Sequence, residues 1–94
     1  MTNDLVKKFK THLEEDGKSD KTVESYVGDT SVFVTFLEGK GVDFNGETKR
    51  FYVTSYRNYL IENQYELSTI NKKVNSIHSF NRYLVIMAAQ KILL

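Results

Sequence analysis

The sequence predicts an all-α domain of four helices, and three observations carry that prediction. Apolar residues recur at three- and four-residue spacing in four separate stretches, the period of a helix with one buried face. Proline is absent, so no ring clash or missing N–H interrupts any stretch. Glycine, serine and threonine fall at the ends of the stretches, where helices start and stop. A chain of 94 residues makes one domain with a modest core.

The first helix is expected from about Asn3 to Asp16. Leu5, Phe9 and Leu13 recur every four residues with Val6 beside them, and Gly17 follows as a stop. The second opens at Ser19, whose hydroxyl can cap a free backbone N–H, and runs to about Glu38, before Gly39. Its stripe is Val23, Tyr26, Val27, Thr30, Phe33, Val34 and Leu37. Gly28 lies off that stripe, where it is either a tolerated defect or a place where a partner's backbone comes close.

Residues 39–47 read as a loop, after which Thr48 is expected to cap a third helix reaching about Asn63. Tyr52, Val53, Tyr56, Tyr59 and Leu60 share one side of it. Three tyrosines on a face can form a stacking platform for bases. Their core-type spacing favours a half-buried packing face with hydroxyls at the rim. The fourth helix is expected after an N-cap at Ser68, with Ile70, Val74, Ile77, Phe80 and Leu84 on its apolar arc. Asn81 falls inside that arc, which a local hydrogen bond or a bend would accommodate. Residues 85–94 form a short apolar extension, expected to be helical and to pack on the bundle or on a neighbour.

Net charge is +1, but its distribution is uneven. Residues 67–94 carry Lys72, Lys73, Arg82 and Lys91 with no acid, a local charge of +4. Residues 1–66 carry nine basic and twelve acidic residues, a charge of −3. An acid-free basic segment is an electrostatic footprint for a polyanion. The arc of the fourth helix opposite its apolar residues holds Ser68, Asn71, Lys72, Asn75, Ser79 and Arg82. The bland reading of Lys72 and Lys73 is a solvated face.

Other chemistry finds little support. Cysteine is absent, so thiolate metal sites and disulfides are excluded, and no metal or other cofactor is expected. His12 and His78 lack partners at metal-ligand spacing and read as surface residues. Arg50, Arg57 and Arg82 are not expected to converge with a histidine and a tyrosine, so no catalytic residues are assigned. No apolar run approaches the ~20 residues a membrane span needs, and no signal peptide is visible. A cytoplasmic, nucleoid-associated location is expected.

Read together, Ser19, Thr22, Tyr26, Phe33, Phe36 and Leu37 of the second helix resemble a known pattern. The Tyr59-Leu60 pair of the third helix belongs to it too, as does Ser68-Thr69-Ile70-Asn71-Lys72-Lys73 with Ile77, Phe80 and Tyr83-Leu84 in the fourth. In order and spacing these motifs resemble the N-terminal core-binding domain of phage integrases and related tyrosine recombinases, across about residues 3–84. The resemblance implies a four-helix SAM-like bundle. It implies site-specific binding of double-stranded DNA as the clamp half of a recombinase whose nucleophile lies in a separate catalytic domain. It also implies that the second and fourth helices face the DNA. The residues expected there are Lys18, Ser19, Lys21, Thr22 and Ser25, with Ser68, Thr69, Asn71, Lys72, Lys73, Asn75, Ser79 and Arg82. Lysines and arginine neutralise phosphates, hydroxyls and helix N-termini bond phosphate oxygens, and Asn71 and Asn75, one turn apart, reach base edges. About four or five phosphate contacts give a salt slope of about −4 and a Kd on the order of 10⁻⁴ to 10⁻⁶ M at physiological salt.

Residues 1–84 are thus expected to form the binding domain, and 85–94 an extension or the start of a linker to a catalytic domain of the same parent chain. Neighbouring recombinase subunits are further expected partners. The apolar tail departs from the polar linker of relatives, and Glu24 and Asp29 dilute the charge of the second helix. A helical protein-interaction or dimerisation module is the alternative, motivated by near-neutral net charge and the apolar tail.

Overall fold

The computed structural model describes residues 4–46 and 49–93, the side chains of 91–93 excepted. Four helices account for the regular structure among these residues: α1 (Asp4–Glu15), α2 (Asp20–Gly39), α3 (Arg50–Glu62) and α4 (Leu67–Leu93). All four expected helices are present. Thr48, the expected cap of α3, and the side chain of Lys91 lie outside the described residues.

Helix ends show why the chain turns where it does. Ser19 caps α2 by accepting from the Thr22 N–H at 3.3 Å. After α1 and α2 the chain closes a paired reverse turn. Lys18 N–H reaches Leu13 carbonyl and Gly17 N–H reaches Glu14, then Val42 reaches Leu37 and Gly41 reaches Glu38. This motif needs a left-handed residue, supplied by Gly17 (φ +81°) and Gly41 (φ +82°). The stop of α2 is therefore Gly41, and Gly39, the expected boundary, is the last helical residue. The same pair of bonds follows α3, Tyr65 to Leu60 and Gln64 to Ile61, but the left-handed position is Gln64 (φ 62°).

Two expected caps shift. The N-cap position of α3 is Lys49, which makes no side-chain cap bond. Helix α4 begins at Leu67, and the Glu66 carbonyl accepts its Ile70 N–H at 2.9 Å, so Ser68 sits inside the first turn. Beyond Leu84, α4 continues unbroken to Leu93. Of the extension, Met87 packs on the core while Val85 and Ile86 are exposed. A 27-residue helix is about 40 Å long, which accounts for the long dimension of 43 Å.

The core follows the sequence stripes. Val6, Phe9 and Leu13 of α1 meet Val23, Phe33, Val34 and Leu37 of α2, Tyr56 and Leu60 of α3, and Ile70, Ile77, Phe80 and Leu84 of α4. Aromatic rings bind the layers: Phe9 touches Phe80 at 5.2 Å and Tyr83 at 5.5 Å, and Phe33 meets Tyr56 edge-on at 5.3 Å. Phe44 was expected only as part of a loop. It is buried against Phe80 at 5.8 Å and ties that loop to the core.

The tyrosine face of α3 is graded. Tyr56 is fully buried, Tyr52 half-buried and Tyr59 exposed, with Tyr59 resting on Phe36 and Tyr56. Burial, then the nearby Asp29 carboxylate, pushes the Tyr56 phenol up to about 12. Its hydroxyl has no hydrogen-bond partner.

Candidate nucleic-acid interface

The expected binding residues lie on α2 and α4, the most extensively packed pair of helices, apart from Lys18 and the N-cap Ser19, which precede α2. At the centre of their contact is Asp29. It is buried, accepts from Ser76 Oγ at 2.7 Å and lies 3.4 Å from Lys73 Nζ. Two more oxygen contacts hold Ser76 and Thr30 inside their helices, to the Lys72 and Tyr26 carbonyls. A carboxylate enclosed by a hydroxyl and an ammonium meets the requirement that buried charge be paired. Asp29 therefore joins the helices instead of diluting the charge of an exposed face.

That arrangement divides the basic residues. Lys73 is turned toward α2 and its charge is balanced by Asp29. Lys18 pairs with Asp16 at 3.7 Å on the surface. Lys21, Lys72 and Arg82 are exposed and form no ion pair among the described residues. Lys21 and Lys72 both line a shallow depression between α2 and α4 that also holds Glu24, Ser25, Gly28 and Asp29. Helix α4 thus presents Ser68, Asn71, Lys72, Asn75 and Arg82 on one exposed arc, with Thr69 and Ser79 half-buried at its margins. Helical spacing puts Asn71 and Asn75 on successive turns of that arc and Arg82 two turns further on.

The hydroxyls of α2 are engaged differently. Ser19 Oγ donates to Thr22 Oγ1 at 2.9 Å while capping the helix, which fixes both residues at its N-terminus. Ser25 Oγ is enclosed and has no partner. Gly28 is exposed, and a Cβ added there would meet nothing within 4 Å.

The structure corrects two expectations about arginine and histidine. Arg50 and Arg57 do converge, with His78, on a groove between α3 and α4, although no tyrosine lines it. Asn81, unplaced by its apolar surroundings in sequence, is half-buried on the same groove. His12 is half-buried, its ring 4.8 Å from that of Tyr83. The seven-residue spacing of Arg50 and Arg57, two helical turns, was the sequence signal for a shared face. Among the described residues no three His, Cys, Asp or Glu side chains gather as a metal site, and no helix is long and apolar enough to cross a membrane.

Comparison with known proteins places these helices in context. The family described as "Phage integrase, N-terminal SAM-like domain" matches residues 5–87. A tyrosine recombinase XerC of Pediococcus pentosaceus is 33% identical over 90 residues, 87% of this chain and 28% of that protein. A TnP I resolvase of Bacillus thuringiensis is 24% identical over 92 residues, 94% of this chain and 31% of that protein. The chain therefore spans less than a third of the length of these curated relatives. No solved structure matches.

Proposed function

This chain belongs to the family of phage integrase N-terminal SAM-like domains, and we propose that it binds double-stranded DNA as the non-catalytic clamp half of a site-specific tyrosine recombinase. The observation that carries this reading is the exposed arc of α4. It offers Lys72 and Arg82, both free of ion pairs, between Asn71, Asn75 and Ser68, with no carboxylate on the arc.

Each group has a separate task. Lys72 and Arg82 neutralise backbone phosphates, and Lys21 adds a third charge from α2. Ser68 and Thr69, in the first turn of α4, bond a phosphate oxygen beside the unpaired N–H groups of the helix start. Phosphate contacts fix register without reading sequence, whereas Asn71 and Asn75 can each form a bidentate pair with adenine in the major groove. Ser19 and Thr22 set the start of α2 alongside, the enclosed hydroxyl of Ser25 offers no phosphate contact, and Lys18 and Lys73 contribute less charge than their number suggests because each has an acidic partner. Each free cation contributes about −0.9 to the salt slope, so these three account for about −2.7.

Tight binding then depends on linkage to a second module, the catalytic domain of the parent protein, which raises effective concentration. The exposed Val85 and Ile86 favour an additional protein contact on the projecting end of α4, with that domain or with a neighbouring subunit. Fluorescence anisotropy of a labelled duplex across 50–200 mM salt tests the DNA reading. Binding that weakens steeply with salt, with a Kd on the order of 10⁻⁴ to 10⁻⁶ M at physiological salt, is expected. Absence of binding at 50 mM salt refutes it.

A further inference from the structure

The α3–α4 groove carries a stronger and purer positive charge than the α2–α4 depression. Arg50 and Arg57 lie two helical turns apart on α3 and line its rim, while His78 and Asn81 line the opposite wall from α4. Val53, Thr54 and Val74 complete its lining, and its volume is about 450 Å³. No carboxylate among the described residues lines it, whereas the α2–α4 depression contains Glu24 and Asp29. Neither arginine forms an ion pair among the described residues, and both are exposed.

We infer that this groove is a second DNA-backbone site, in which Arg50 and Arg57 take phosphate oxygens of the strand that crosses α4. Guanidinium forks match phosphate geometry and hold their charge at any ordinary pH, and the imidazole and amide supply further hydrogen-bonding groups. Continuity argues for DNA over an acidic peptide. His78 follows Asn71 and Asn75 by seven and three residues and precedes Arg82 by four, so it borders the exposed arc of α4. A strand held on that arc reaches the groove without leaving the protein surface. The footprint then covers α3 as well as α2 and α4. This inference rests on the DNA-binding reading above.

The test is salt-dependent duplex binding by the 94-residue chain, the Arg50→Gln/Arg57→Gln double variant and Lys72→Ala as a control, each checked for folding by thermal melting. Both arginines are exposed and glutamine is a comparable helix former, so the double variant keeps the fold. Five phosphate contacts give the unaltered chain a slope of about −4.5, an affinity loss of about 500-fold between 50 and 200 mM salt. The double variant should retain a slope of about −2.7, a loss of about 40-fold over the same range, and bind more weakly at low salt. A double variant that matches the unaltered chain in slope and affinity, while Lys72→Ala still lowers the slope, overturns the groove assignment and leaves the α4 surface standing. That is also the outcome if the groove serves an acidic peptide. Failure of the unaltered chain to bind duplex overturns the DNA-binding reading, and the groove assignment with it.

Discussion

Lys72 and Lys73 are adjacent and chemically identical, yet the structure gives them different surroundings. Lys72 is exposed on the arc of α4, while Lys73 reaches Asp29 at 3.4 Å and is turned toward the core. Substituting each by alanine separates the two. Lys72→Ala removes one phosphate contact, lowering the steepness of the salt slope by about 0.9. The ratio of affinities at 50 and 200 mM salt then shrinks by about 3.5-fold. Stability should hardly change, because an exposed lysine without an ion pair contributes within about 0.5 kcal/mol. Lys73→Ala leaves the buried Asp29 with Ser76 as its main partner. Loss of a fully buried partner costs about 3–5 kcal/mol, but the Lys73 side chain is 21% exposed, so about 1–2 kcal/mol is expected. In a chain of this length that lowers the Tm by roughly 5–15 °C. Its salt slope, measured well below the Tm, should match the unaltered chain. Anisotropy titrations and thermal melts on the two variants supply all four quantities. A Lys73→Ala slope reduced as much as that of Lys72→Ala would refute the reasoning, because it would mean that Lys73 leaves Asp29 to hold a phosphate.

Three further outcomes follow from the geometry. Gln64→Gly should raise the Tm by about 4–8 °C, since a left-handed residue after α3 costs a side chain about 1 kcal/mol or more; an unchanged or lower Tm in thermal melts contradicts this. Gly28→Ala should stabilise α2 by about 1 kcal/mol with an unchanged Kd for duplex, because open space surrounds the added methyl; a weaker Kd in the stabilised variant assigns Gly28 to close approach by the partner. Tyr56 contributes to alkaline stability. Below pH 10 its phenol is protonated folded or unfolded, so stability is unaffected. Between pH 10 and about 12 the unfolded chain loses that proton first, and about 2–3 kcal/mol disappears as pH rises. Urea melts of Tyr56→Phe should show that loss reduced, together with a gain of about 1 kcal/mol at pH 7 from removing an unpartnered hydroxyl; an identical alkaline profile contradicts the assignment.

The sequence carries clear signals where the physics is local. The Ser19 cap and the Gly17 stop depend on neighbours within five residues, and both are present. The buried stripes of α1, α2 and α4 likewise follow from helical period alone. Errors arose where a residue takes its partner from elsewhere in the chain. Asp29 reads as diluting the charge of the second helix, because its partners Lys73 and Ser76 lie 44 and 47 residues away. Phe44 reads as loop because a single aromatic has no period, yet the core supplies Phe80 to meet it. Gln64 occupies a position where glycine would have marked the stop. At the candidate interface, the exposed arc of α4 is legible in the sequence as an acid-free helical face. The meeting of Arg50 and Arg57 with His78 was not, because it depends on how α3 packs against α4.

Chemical-shift mapping of the labelled chain with duplex DNA tests the central claim most directly. Amide perturbations should concentrate on Ser68, Asn71, Lys72, Asn75, Ser79 and Arg82, with weaker ones at the start of α2. Perturbations that avoid residues 68–82, or that centre on the exposed Phe51 and Tyr59 of α3, would contradict DNA binding through α4.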